Sequence, residues 1–436
     1  AIREEADVVG LSGLITPSLD EMVHVAKEMK RNNLKMPLLI GGATTSRIHT
    51  AVKIVPHYDH PVIHVLDASR SVPVVSALLS EDGRDEFVKK VEVEYNGIRD
   101  AFAKKKSEKE YITIFEARKK KYKIDWKQTK TDRPVRQGVF KFQDVSLEIL
   151  RKYIDWTPFF STWEMKGKYP SIFDDKERGS EAKKLFDDAN IMLEELIKER
   201  RLKASGVAGI FPANSVNDDD IEIYTDETRS GILATFYNLR QQYRKSEGEP
   251  NLSLADFIAP KDSGIIDFMG GFAVTAGINI DELIKEYQRS NDDYNVIMVK
   301  AIADRLAEAF AEYLHEVIRR EIWGYEKEAP LSNDELIKEK YRGIRPAPGY
   351  PASPDHTEKL TLFSLLDVRE TTTIELTENL AMYPTASVCG LYFANPESKY
   401  FGIGKIGEDQ IIDYHKRKGM SKQQVERWLS PILNYE

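Results

Sequence analysis

Over its first 80 residues the chain alternates short, uniformly apolar runs with stretches of helical periodicity. The runs are Asp7 to Leu14, Met36 to Gly41 and Val62 to Val65. The helical patterns are Ser18 to Asn32, Thr45 to Ile54 and Ser69 to Leu79. Strands without polar alternation are buried on both faces, and their interleaving with helices predicts a piece of a doubly wound parallel sheet. Ser18 with Glu21 three residues on forms a capping-box pattern that starts the first helix. Three strands are few for such a sheet, so this segment reads as a domain without its front half.

From Glu81 to Lys130 the chain is dense in charge, with basic runs at 104–110 and 118–123. Acidic residues are interleaved and aromatics are sparse, which predicts a solvated helical linker and not a nucleic-acid surface. Beyond Pro134 an apolar period at Met298, Ile302, Leu306, Phe310, Leu314, Val317 and Ile318 predicts a long helix over Asp292 to Tyr325. Asp304 and Glu308 lie four apart on it with Arg305 between them, a spacing that most often marks a solvated, self-paired face. Ser387 to Phe393 and Lys399 to Gly404 flank Asn395 to Ser398 as a predicted hairpin.

Composition narrows the class. The chain has 436 residues, 41% of them hydrophobic and 31% charged, enough for about two or three domains with a sizeable core. A net charge of −8 argues against nucleic-acid binding by overall field. A single cysteine, Cys389, excludes an internal disulfide framework and a thiolate-rich zinc site, and fits a reducing compartment. No apolar run is long enough to cross a membrane as a helix. The expectation is a cytoplasmic monomer with no membrane or nucleic-acid partner.

Two local motifs bear on chemistry. In Arg345-Pro-Ala-Pro-Gly-Tyr350-Pro each proline fixes φ and extends the residue before it, so a guanidinium and a phenol are held on a stiff backbone. An arginine fork suits a carboxylate or phosphate, and tyrosine adds a flat face with a polar tip. Gly402 to Gly407 fits G-x-G-x-x-G, but a dinucleotide site needs a further parallel strand ending in an acidic residue. Only helical patterns follow, so that reading is rejected.

Taken together, the distant motifs resemble one family. The stretch Leu11 to Leu19, the Gly41-Gly42 strand tip with the residues to Ser46, and Asp67 to Arg70 resemble the latter part of the cobalamin-binding domain of cobalamin-dependent methionine synthases. Tyr153 to Phe160, Ala303 to Phe310, the Arg345 motif and Ser398 to Phe401 resemble the same family's S-adenosylmethionine-binding reactivation domain.

The resemblance implies a partial cobalamin domain at 1–86, a linker at 87–106 and a reactivation domain at 107–436, the last a mixed α+β fold around a long, largely antiparallel sheet. It implies reductive remethylation of cob(II)alamin, with S-adenosylmethionine as methyl donor and an electron from flavodoxin or a related reductase. The remaining N-terminal modules of such an enzyme would be further partners. Asp155 would bind the amino group of S-adenosylmethionine and Arg345 its carboxylate. Tyr350 would lie near the methyl-bearing end, with Tyr400 and Phe401 beside the adenosyl part. Ser12, Thr16, Ser18, Gly41, Gly42 and Ala68 would contact cobalamin, while Asp304 and Glu308 would receive the lower cobalt ligand, a histidine, once it leaves the metal. The family's D-x-H-x-x-G, which supplies that histidine, is not among these residues, so no metal ligand is assigned. A module that binds S-adenosylmethionine and docks a reductase for a separate corrinoid protein is the alternative.

Overall fold

The computed structural model describes residues 1–13, 18–67, 70–80, 83–108 and 110–435. The chain forms two compact units: Ala1–Glu116, Gln242–Glu249 and Gly404–Glu436 make the first, and Ala117–Gln241 with Pro250–Ile403 the second. The helices Glu408–Lys418 and Lys422–Leu429 therefore pack with the first unit.

In the first unit β1 (Val9–Ser12), β2 (Leu38–Gly41) and β3 (Val62–His64) pair in parallel in the order β1-β2-β3. Ser12 sits opposite Gly41, and Ile40 opposite His64. Helix α1 (Ser18–Arg31) covers one face, where Met22, Ala26 and Met29 pack on Leu38 and Ile40. Helices α2 (Ser71–Leu79) and α3 (Arg84–Glu108) follow β3. Leu78, Val88 and Val91 from these helices meet Leu39, Ile63 and Val65 on the other face. Leu38 to Ile40 and Val62 to Ile63 are buried on both faces of the sheet, which is why the sequence shows apolar runs there and no alternation, whereas β1 is only partly buried. The helical pattern from Thr45 is a short α-turn, Arg47–His49, capped by Ser46 and continued by a π-turn, Thr50–Ile54.

The second unit is built on one antiparallel sheet. Its principal elements are β4 (Gly138–Phe142), α4 (Gly179–Lys198), β5 (Lys203–Val216), β6 (Asp220–Tyr224), β7 (Ile232–Tyr237), β8 (Asp267–Ile278), α5 (Ile280–Arg289), α6 (Asp293–Val317), α7 (Glu358–Leu366) and β9 (Ser387–Tyr392). The strand order is β9-β8-β5-β6-β7, with β4 also paired to β5. Alternate residues serve two cores. Ala208, Ile210, Phe272 and Val274 point to α6, meeting Ile302, Leu306, Phe310 and Leu314. Val207, Phe211, Met269 and Ala273 point the other way, onto Leu362 and Leu366 of α7. An antiparallel sheet covered on both faces loses its polar alternation just as a parallel one does. Helix α6 matches the long helix predicted from its period; Asp292 caps it by accepting the Asn295 N–H, and it ends in a π-turn, Ile318–Ile322.

The predicted hairpin does not form. Strand β9 pairs with β8, from Ser387 opposite Thr275 to Tyr392 opposite Gly270, and its other edge is taken by the Arg345 loop. There Leu391 donates to the Pro346 carbonyl at 2.8 Å, and Ile344 and Phe393 exchange two bonds of 3.0 Å. Residues 399–404 find no free edge and adopt no strand.

Candidate functional site

The β9 edge bonds fix where the proline loop begins. Farther along, Gly349 has φ +94° and donates its N–H to the Ser353 carbonyl at 2.7 Å, closing a tight turn. A Cβ at Gly349 would lie 2.6 Å from His356 Nδ1, so only glycine lets the loop lie against that ring. Ile403 donates to the Pro351 carbonyl at 2.8 Å, which ties the loop to the 399–404 segment. Tyr400 Oη accepts the backbone N–H of Arg345 at 3.0 Å.

The Arg345 side chain is held as firmly as its backbone. Nη2 donates to Glu312 Oε2 at 2.5 Å, and the guanidinium carbon lies 5.9 Å from the centre of the Tyr341 ring. Burial opposes the arginine's charge, but Glu312 and the surrounding phenols outweigh it and push its pKa above the ordinary value. Sequence reasoning missed Glu312. The signal that could have found it is the four-residue spacing Asp304, Glu308, Glu312, which puts three carboxylates along one stripe of α6.

Two clefts meet at this arginine. The larger, about 540 Å³, is lined by Arg345, Tyr350, Tyr400, Phe401 and Glu308, with Lys359 and Cys389 in its wall. The smaller, about 370 Å³, is lined by Asp155, Arg305, Glu308, Glu312 and Arg345. Glu308 and Arg345 belong to both. All five residues expected around S-adenosylmethionine thus border this one pair of clefts. Tyr350 stands at the rim, 65% exposed. Phe401 tilts against Phe257 with ring centres 6.3 Å apart. Asp155 Oδ1 accepts the Thr157 N–H at 2.9 Å, a local cap at the start of the short helix Thr157–Thr162. Cap and cleft wall are therefore the same carboxylate.

The α6 acids differ from one another. Asp304 is exposed and paired with Arg305 at 2.5 Å, the self-paired face its spacing suggested. Glu308 reaches solvent at the cleft opening, yet protein crowds its other sides. That burial pushes its carboxyl up, opposed by Arg305 and Arg345.

Lys359 and His356 form a second polar pair that the sequence did not reveal. Lys359 Nζ lies 3.0 Å from His356 Nδ1 and donates to the Leu380 carbonyl at 2.9 Å. Burial lowers the pKa of both, with the Lys359 charge adding to the effect on His356, which falls to about 4. His356 is therefore neutral at pH 7. Cys389, buried in the same wall, has its thiol pushed up to about 11 by burial and is not a thiolate.

In the first unit a cleft of about 590 Å³ opens at the C-terminal ends of the parallel strands, where such sheets bind ligands. Ser12, Gly41, Gly42, Thr45 and His64 line it. Gly42 has φ +105°, and a Cβ there would collide with the Gly13 backbone, so the strand end passes close to its neighbour only as glycine. Ser18 opens α1 and is not in the cleft lining. Thr16 and Ala68 lie outside the described residues. Among the described residues no cluster of three or more His, Cys, Asp or Glu could hold a metal ion, and no helix is long and apolar enough to cross a membrane.

Residues 146–419 match the family model described as the vitamin B12 dependent methionine synthase activation domain. A solved structure described as the MetH reactivation domain bound to AdoHcy is 53% identical, with a TM-score of 0.73, covering 75% of this chain and 99% of that one.

Proposed function

The chain belongs to the vitamin B12-dependent methionine synthase family, whose activation domain it contains, and we propose that its paired clefts bind S-adenosylmethionine for the reductive remethylation of cobalamin. The observation that carries this reading is the shared cleft of Asp155 and Arg345, one anion and one cation lining the same recess from distant parts of the chain. A zwitterionic amino acid head requires that combination, each charged hydrogen bond contributing about 1.5–3 kcal/mol. The wider cleft, with Tyr350 at its rim and Tyr400 and Phe401 in its wall, has the aromatic surface an adenosyl group stacks on. The related structure carries AdoHcy, the product left when the methyl departs, which supports the same occupant here.

The transfer asks little acid–base chemistry of the protein. The C–S bond of the sulfonium breaks with its electron pair returning to sulfur, so no proton moves and alignment is the main contribution. When bound, cobalamin supplies a reduced cobalt as the methyl acceptor. The strand-end cleft fits part of such a cofactor: Ser12 offers a hydroxyl, and Gly41 and Gly42 leave room for a nucleotide tail against the backbone. The electron would come from flavodoxin or a related flavoprotein. Asp304 and Glu308 would receive the displaced histidine in the intact enzyme. An unchanged equilibrium between its cobalt-bound and released forms in a full-length Asp304→Asn, Glu308→Gln variant would remove that assignment.

Calorimetry tests the central reading. The chain should release heat on binding S-adenosylmethionine, and an Asp155→Ala, Arg345→Ala variant should not. Equal binding by both would overturn it. Retention of a corrin spectrum after desalting is the corresponding test of the first unit.

A further inference from the structure

Resting on the S-adenosylmethionine reading of this site, we infer that Glu312 is a positioning residue that aims the Arg345 guanidinium at the ligand carboxylate and so sets the preference for ligands that carry one. Arginine offers five N–H donors in a planar fork, and what the fork presents depends on which donors are already engaged. Here Glu312 Oε2 takes Nη2 at 2.5 Å. The Tyr341 ring lies near the guanidinium, and the Tyr400 hydroxyl pins the backbone N–H of the same residue. The ion pair and the nearby ring restrain the side chain, and the Tyr400 bond fixes the backbone that carries it. Nη1 is buried and has no protein partner, nor has Oε1 of Glu312. A buried guanidinium N–H without an acceptor is costly, and a carboxylate entering the cleft supplies one.

Glu312 is itself fixed. It is 8% exposed, on about the sixth turn of a helix whose residues Leu306, Phe310 and Leu314 are locked in the core. Its stripe mates differ from it: Asp304 is spent on Arg305, and Glu308 stands at the cleft opening. Glu312 alone among the three contacts the arginine. A rigid acceptor on a rigid helix is the support a binding arginine needs to lose little entropy when the ligand arrives. The role is one of geometry, since the added negative charge by itself would repel a ligand carboxylate.

The test compares S-adenosylmethionine with decarboxylated S-adenosylmethionine on the full chain by calorimetry. Glu312→Ala should weaken S-adenosylmethionine about tenfold or more and the decarboxylated ligand less than about twofold. Glu312→Gln, which keeps an acceptor at the same reach, should restore the first affinity to within about threefold of wild type. Should the alanine variant fail to fold, Glu312→Asp, which withdraws the acceptor by one methylene, must show the same selective loss. Equal losses for both ligands, no loss for either, or a glutamine variant no better than alanine would each overturn the positioning role. These outcomes all presuppose that wild type binds S-adenosylmethionine; a wild type that binds neither ligand would instead remove the reading beneath.

Discussion

Gly349 lies directly against the imidazole of His356: a Cβ on the glycine would lie 2.6 Å from Nδ1 and 2.9 Å from Nε2. The turn that carries Tyr350 is thus seated on a ring that Lys359 in turn holds by a hydrogen bond. Gly349→Ala faces two separate penalties, the positive φ and the collision, together about 1–3 kcal/mol. Its melting temperature and its affinity for S-adenosylmethionine should both fall. Adding His356→Ala removes the collision and leaves the φ strain, so the double variant should regain part of the affinity. A double variant no better than the single one would show that the ring is not what the glycine accommodates.

Arg345→Lys keeps the charge and discards the fork. A lysine can meet Glu312 or the ligand carboxylate as a point charge, but cannot hold one edge to each. S-adenosylmethionine binding should fall about tenfold or more, with the folded state little changed in circular dichroism. Binding within about twofold of wild type would mean that charge alone suffices.

How much of this was legible in the sequence depends on how local the cause was. The parallel strands of the first unit and helix α6 follow from apolar spacing that a neighbouring layer imposes on every turn or residue, and both stand where the pattern put them. The 399–404 segment has a strand-like composition, but whether it pairs depends on who occupies the β9 edge, a matter settled by Ile344 and Pro346 far away in sequence. Arg345 and Tyr350 could be singled out because prolines announce a stiff loop. Asp155 could not, since its carboxylate at Trp156-Thr157-Pro158 looks like the cap it also is. Only the family resemblance set it beside Arg345. Glu312 continues the carboxylate stripe of Asp304 and Glu308, a spacing that marks a polar helix face without naming the arginine that meets it.

The double duty of Asp155 can be separated by one substitution. Asparagine keeps the side-chain oxygen that accepts the Thr157 N–H and loses the negative charge. Asp155→Asn should leave stability within about 0.5 kcal/mol of wild type. It should weaken S-adenosylmethionine by about tenfold to a hundredfold, the loss of one charged hydrogen bond to an ammonium. If affinity is unchanged as well, the carboxylate is a cap and nothing more.

Asp267, at the head of β8, makes the fold sensitive to pH in an unusual direction. Its carboxyl is buried and accepts two backbone N–H groups, from Ala259 at 2.9 Å and Phe268 at 2.8 Å. Burial nevertheless dominates these bonds and, with Asp132 adding repulsion, pushes the group up to about 7. A carboxyl that titrates higher when folded than when unfolded, about 3.9, favours the folded state in its protonated form. Its contribution is complete below about pH 4 and is lost as pH rises through about 7. Asp267→Asn cannot ionise and lacks one of the two acceptors, at a cost of about 1–3 kcal/mol. In urea unfolding, wild type should therefore exceed the variant most at low pH, and the gap should narrow between about pH 4 and 7. Comparing the two proteins cancels the other titrating groups, which they share. A gap that stays constant, or widens with pH, would mean that Asp267 is ionised in the folded protein across this range.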